Sequence, residues 1–143
     1  MENIKVLLVD DEEEFADILS ERLKNRGVTV HQARDGFEAI KMVKKEDYEA
    51  VILDFAMPGL DGIETLEVLL SKKPNLQVIL LTGQATLEKG VQALKLGAMD
   101  VLEKPTDISK IMGKIKEAQT ERMLIVSKEA QERIEDILKS KGW

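Results

Sequence analysis

Apolar residues in this chain fall into two alternating textures: dense short runs, and longer stretches where they recur every three or four positions. The run at 4–9 is interrupted only by Lys5 and ends on Asp10-Asp11. Residues 13–26 then place Phe15, Ile18, Leu19 and Leu23 at helical spacing, and Gly27 stops the pattern. Residues 28–31 alternate, as a strand with one wet face would near a sheet edge. After the Asp35-Gly36 turn, Phe37, Ile40 and Val43 predict a second amphipathic helix. The run at 50–53 ends on Asp54, and the chain breaks at Pro58, Gly59 and Gly62 before a stripe of Ile63, Leu66, Leu69 and Leu70. Pro74-Asn75 ends that helix. Residues 78–81 form a fourth run finishing at Thr82, and Leu87, Val91 and Leu94 a fourth stripe that Gly97 caps. A fifth run at 99–102 leads to Glu103-Lys104-Pro105, and 106–122 is helical with Ile108, Ile111, Met112 and Ile115 inward.

Short runs alternating with stripes across short loops predict right-handed βαβ units around a parallel sheet. The runs at 4–9, 51–53 and 78–81 are nearly unbroken, which is the texture of strands buried on both faces. Residues 120–143 lie beyond the repeat. There Ser127 reads as an N-cap, Ala130, Ile134, Ile137 and Leu138 fall at helical spacing, and Gly142 ends a helix over 127–140. Pattern alone leaves open whether this helix continues its predecessor or folds back. The expected division is a domain over 1–122 and a helical extension over 123–143. The isolated extension would be marginal in water, so it is expected to dock on its own domain or on a second copy, which makes a homodimer one expected assembly.

With 143 residues the chain can bury one core, and at 3% aromatic residues that core is aliphatic. A net charge of −6 argues against direct DNA binding and against attraction to anionic lipid. The absence of cysteine removes disulfides, thiol catalysis and thiolate metal sites. With no targeting or spanning segment, a cytoplasmic protein away from the membrane is expected. His31, the single histidine, reads as a solvated residue on the wet face of the second strand.

The strand ends carry the chemistry. Asp10-Asp11, Asp54, Thr82 and Lys104 follow the first, third, fourth and fifth strands, and in a parallel sheet these ends converge on one rim. Clustered carboxylates repel one another unless a cation joins them, and oxygen donors of this kind suit Mg²⁺. Lys104 adds a point charge and Thr82 a hydroxyl. A metal, a lysine and a hydroxyl around one carboxylate are suited to phosphoryl transfer with Asp54 as nucleophile.

From about residue 4 to 122 the sequence resembles the receiver domain of two-component response regulators. The matching pieces are Val9-Asp10-Asp11-Glu12, Leu53-Asp54 with Met57-Pro58 and Asp61-Gly62, Thr82-Gly83, Leu96-Gly97-Ala98 and Lys104-Pro105. The resemblance implies a flavodoxin-like α/β fold with strand order 2-1-3-4-5. It also implies that Asp54 is the phosphoacceptor, that Asp11, Asp54 and the carbonyl of Ala56 ligate Mg²⁺, and that Asp10 acts through a metal-bound water. Thr82 and Lys104 complete the implied site, and a cis Lys104-Pro105 bond is expected. The implied partners are a sensor histidine kinase or phosphotransfer protein and a downstream protein read by contact.

Four positions depart from the family pattern. Val101 stands where an aromatic residue is usual, Ala56 offers only its backbone, and Gln84 and Thr106 flank the site. The main expectation is a stand-alone phosphoacceptor with no output domain, catalysing only its own phosphorylation and dephosphorylation. The alternative is an N-terminal piece of a longer transcriptional regulator. A flavin-type cofactor binder would need a glycine- and hydroxyl-rich loop where Asp-Asp-Glu-Glu-Glu stands, and an aspartate-based phosphatase would need a second acid at Ala56.

Overall fold

The computed structural model describes residues 4–55, 61–83, 87–104 and 106–142. Among the described residues ten elements alternate: β1 (Ile4–Val9), α1 (Glu13–Lys24), β2 (Val28–Ala33), α2 (Gly36–Lys45), β3 (Ala50–Asp54), α3 (Gly62–Lys72), β4 (Val78–Thr82), α4 (Leu87–Leu96), β5 (Asp100–Glu103) and α5 (Ile108–Ser140). All strand pairs are parallel, in the order β2-β1-β3-β4-β5. β3 and β4 are buried at every position, as unbroken apolar runs require. β2 alternates and lies at an edge, where its pattern put it.

Pleating sends alternate residues to opposite faces. Leu7, Val9, Val51 and Leu53 pack against α2, α3 and α4, while Val6, Leu8, Ile52 and Ile79 pack against α1 and α5. Asp35, Asp61 and Asp107 cap α2, α3 and α5, each accepting from the backbone N–H three residues on, at 2.8, 2.9 and 2.9 Å. Asp107 therefore moves the start of α5 to Ile108, two residues later than the apolar pattern placed it.

Several stripe residues face outward instead of in. Ile18 and Phe37 are about half exposed or more, and on α4 Val91 and Leu94 are 50% and 43% exposed. The buried side of α4 is made by Gly90 and Ala93 instead. A Cβ at Gly90 would meet Val101 Cγ1 at 3.1 Å, so the missing side chain lets α4 settle close on β5.

The C-terminal pattern needs correction. No helix starts at Ser127, because α5 runs unbroken for 33 residues and Ser127 is interior to it. Nothing between Arg122 and Ser127 breaks a helix, and extending one costs far less than nucleating another. Arg122 Nη1 pairs with Glu49 Oε2 at 3.0 Å, and Asn75 Nδ2 donates to Glu129 Oε1 at 2.9 Å. Beyond Glu129 the helix leaves the domain with Ile134, Ile137 and Leu138 exposed. Among the described residues, no hydrogen bond or ion pair ties α5 to the domain beyond Glu129. Among the described residues no helix is long and apolar enough to cross a membrane.

Candidate functional site

Four of the five strand-end side chains, those of Asp10, Asp11, Asp54 and Lys104, converge. Asp54 closes β3 and is 5% exposed; Thr82 closes β4 and is 1% exposed. Asp10 follows β1, held by its N–H to the Ala33 carbonyl at 3.1 Å, and is 3% exposed. Asp11 beside it is exposed. The Lys104 N–H donates to the Thr82 carbonyl at 2.6 Å, which fixes the lysine backbone against β4. Its Nζ then reaches Asp54 Oδ1 at 3.1 Å and Asp10 Oδ2 at 3.9 Å.

Below this rim the backbone is tightly constrained. The Gly62 N–H donates to the Phe55 carbonyl at 3.2 Å, and a Cβ at Gly62 would lie 2.7 Å from that oxygen. Asp61-Gly62 thus has a structural job: one residue caps α3, and the other lets its first turn close on the residue after Asp54.

One carboxylate oxygen each from Asp10, Asp11 and Asp54 lies within 4.8 Å of the others. Asp10 Oδ1 accepts from the Glu12 N–H at 2.9 Å, so it serves the start of α1. Its Oδ2 is buried and has no hydrogen-bond partner. An orphaned buried carboxylate oxygen beside two further acids suits a hard divalent cation, and these residues therefore fit Mg²⁺. Burial pushes the Asp10 carboxyl up to about 6, with Asp54 and Glu12 adding to the rise and the Glu12 N–H and Lys104 opposing it.

Of the residues expected at the site, Asp10, Asp11, Asp54 and Lys104 meet, and Thr82 stands beside them with its hydroxyl donating to the Gly83 carbonyl at 2.7 Å. Ala56, Gln84 and Pro105, and with the last the cis bond, lie outside the described residues. The apolar pattern missed one member. Phe15, read as core, has its ring centroid 4.5 Å from Lys104 Nζ. Its place in the first turn of α1, directly after the Asp10-Asp11 strand end, was the available signal.

The model of the response regulator receiver domain matches residues 6–116. This chain belongs to the receiver domain family. An NtrX-like response regulator of Rickettsia felis is 35% identical over 120 residues, covering 82% of this chain but 25% of the relative. Sporulation initiation phosphotransferase F of Bacillus subtilis is 35% identical over 116 residues, 81% of this chain and 94% of that one. A response regulator receiver domain protein from Clostridium thermocellum superposes with a TM-score of 0.83 at 28% identity, covering 85% of this receiver and 98% of its own chain. This receiver thus spans a quarter of the first relative and nearly all of the second. The flavodoxin-like fold and the order 2-1-3-4-5 are shared with such domains.

Proposed function

We propose that Asp54 accepts a phosphoryl group from the phosphohistidine of a sensor histidine kinase or phosphotransfer protein, and that the modified domain signals by protein contact. The observation that supports this reading is Lys104 Nζ at 3.1 Å from Asp54 Oδ1, beside the orphaned Asp10 Oδ2. A bound Mg²⁺ would neutralise charge on the moving phosphoryl oxygens. Asp11 and Asp54 would hold it directly, with the Ala56 carbonyl as the third protein ligand, and Asp10 would hold it through a water. An Asp54 carboxylate oxygen attacks phosphorus, the P–N bond to the donor imidazole breaks, and its electron pair stays on that nitrogen. Lys104 offers its ammonium to a phosphoryl oxygen, and Thr82 offers its hydroxyl to another. No other catalytic activity belongs to the reading.

The test is incubation with Mg²⁺ and acetyl phosphate, followed by intact mass and peptide mapping. The wild type should gain one phosphoryl group at Asp54, and Asp54→Asn should gain none. Equal incorporation in Asp54→Asn would overturn the assignment.

A second reading, an N-terminal receiver of a longer transcriptional regulator, draws on one observation. α5 leaves the domain as an unbroken helix, a form suited to joining a following domain. The reading frame of the source gene beyond Trp143 decides between the two.

A further inference from the structure

Among the described residues, three groups hold Lys104 Nζ: Asp54 Oδ1 at 3.1 Å, Asp10 Oδ2 at 3.9 Å and the Phe15 ring, its centroid at 4.5 Å. Two of these are the carboxylates that a divalent cation would recruit. The third carries no charge and no oxygen, so a hard cation cannot compete for it. Phe15 sits in the first turn of α1, half-buried against the apolar cluster that α1 and α5 form on the sheet. That packing holds the ring while one face stays turned to the lysine. An ammonium within about 6 Å of a ring centroid is attracted by the ring quadrupole.

Building on the phosphoacceptor reading, we infer that Phe15 is a positioning residue for Lys104. Its ring keeps the ammonium over the reaction rim when metal binding draws Asp10 and Asp54 away from it. A lysine stem has four rotatable bonds and high rotamer entropy, so losing both carboxylates would otherwise release it to solvent just when the phosphoryl oxygens need it.

The experiment uses the full chain with three substitutions. Phe15→Leu keeps an apolar side chain and removes the ring face, Phe15→Tyr restores a ring, and Lys104→Ala removes the ammonium. Without metal, the Lys104 Cε protons should be shifted upfield by the ring current in wild type and Phe15→Tyr, and return to ordinary lysine positions in Phe15→Leu. With saturating Mg²⁺ and acetyl phosphate, Phe15→Leu should phosphorylate roughly three- to tenfold more slowly, Mg²⁺ affinity should hold, and Phe15→Tyr should recover the rate. In the Lys104→Ala background Phe15→Leu should cause no further loss.

Equal rates in wild type and Phe15→Leu, or the same loss with and without Lys104, would overturn the inference and leave the phosphoacceptor reading intact. A wild type that takes no phosphoryl group would instead overturn that reading, and the positioning role with it.

Discussion

Asp10 should give the stability of the fold a pH dependence. Its carboxyl is raised to about 6 from an ordinary value of 3.8, so the folded chain holds this proton more tightly than the unfolded one. The stability it contributes is full below about pH 4 and is lost as pH rises through 6. Metal-free protein should therefore lose melting temperature from this group between pH 5 and 7.5, and saturating Mg²⁺ should restore much of it. Asp10→Asn should stabilise the metal-free chain at pH 7.5 by on the order of 2 kcal/mol and flatten that pH dependence. A metal-free melting profile unaltered by Asp10→Asn would show that its charge carries no strain. Lys104→Ala should leave Mg²⁺ affinity within a few-fold and slow phosphorylation strongly; calorimetry and intact mass separate the two. Gly62→Ala must push a methyl toward the Phe55 carbonyl, and a loss of roughly 1–3 kcal/mol is expected in denaturant unfolding. Asp10, Asp11, Asp54, Thr82 and Lys104 were legible because a parallel sheet sends every strand end to one rim. Phe15 was not, since a core phenylalanine and a lysine platform are the same letter at the same helical spacing. His31 does lie on the less buried face of β2, but its partners were not legible: its Nδ1 lies 2.9 Å from Tyr48 Oη and 3.0 Å from Glu46 Oε2, both supplied by a distant turn.

At the scale of elements, α4 and β5 differ most from what the sequence suggested. A stripe of Val91 and Leu94 predicted an inward face, yet the helix buries Gly90 and Ala93, because small residues allow the closest approach to Val101. In receivers generally, an aromatic residue at that strand position turns inward when the fourth-strand hydroxyl moves. Val101 is short and stiff at χ1 and already touches the space over Gly90. The response to phosphorylation should then be carried by the loops after Asp54 and Thr82, with α4, β5 and the start of α5 changing less. Amide shift mapping with Mg²⁺ and a phosphoryl mimic tests this; changes across 99–115 as large as those in the loops would end it. α5 was half legible. Both of its apolar patterns were visible, but a serine that could cap a helix looks the same as one that merely sits within it.

For the whole molecule, run texture made the parallel sheet legible and the family resemblance supplied its strand order, while the outward reach of α5 was legible in neither. The exposed Ile134, Ile137 and Leu138 lie beyond the Asn75–Glu129 hydrogen bond, so the apolar stripe is expected to be covered by a second copy. Ending the chain after Arg122 should convert a dimer to a monomer by light scattering; an unchanged mass and melting temperature would make the stripe an idle appendage. The length of α5 has a mechanical consequence. Its 33 residues span about 50 Å, its root stands four residues after Lys104, and the Arg122–Glu49 pair grips it partway along. Ile111, Met112, Ile115 and Ala118 anchor its first turns in the core, and the Asn75–Glu129 hydrogen bond holds it again beyond Arg122. The remaining stretch, residues 130–140 or about 16 Å of helix, projects as a stiff cantilever that holds Ile134, Ile137 and Leu138 out from that anchored base.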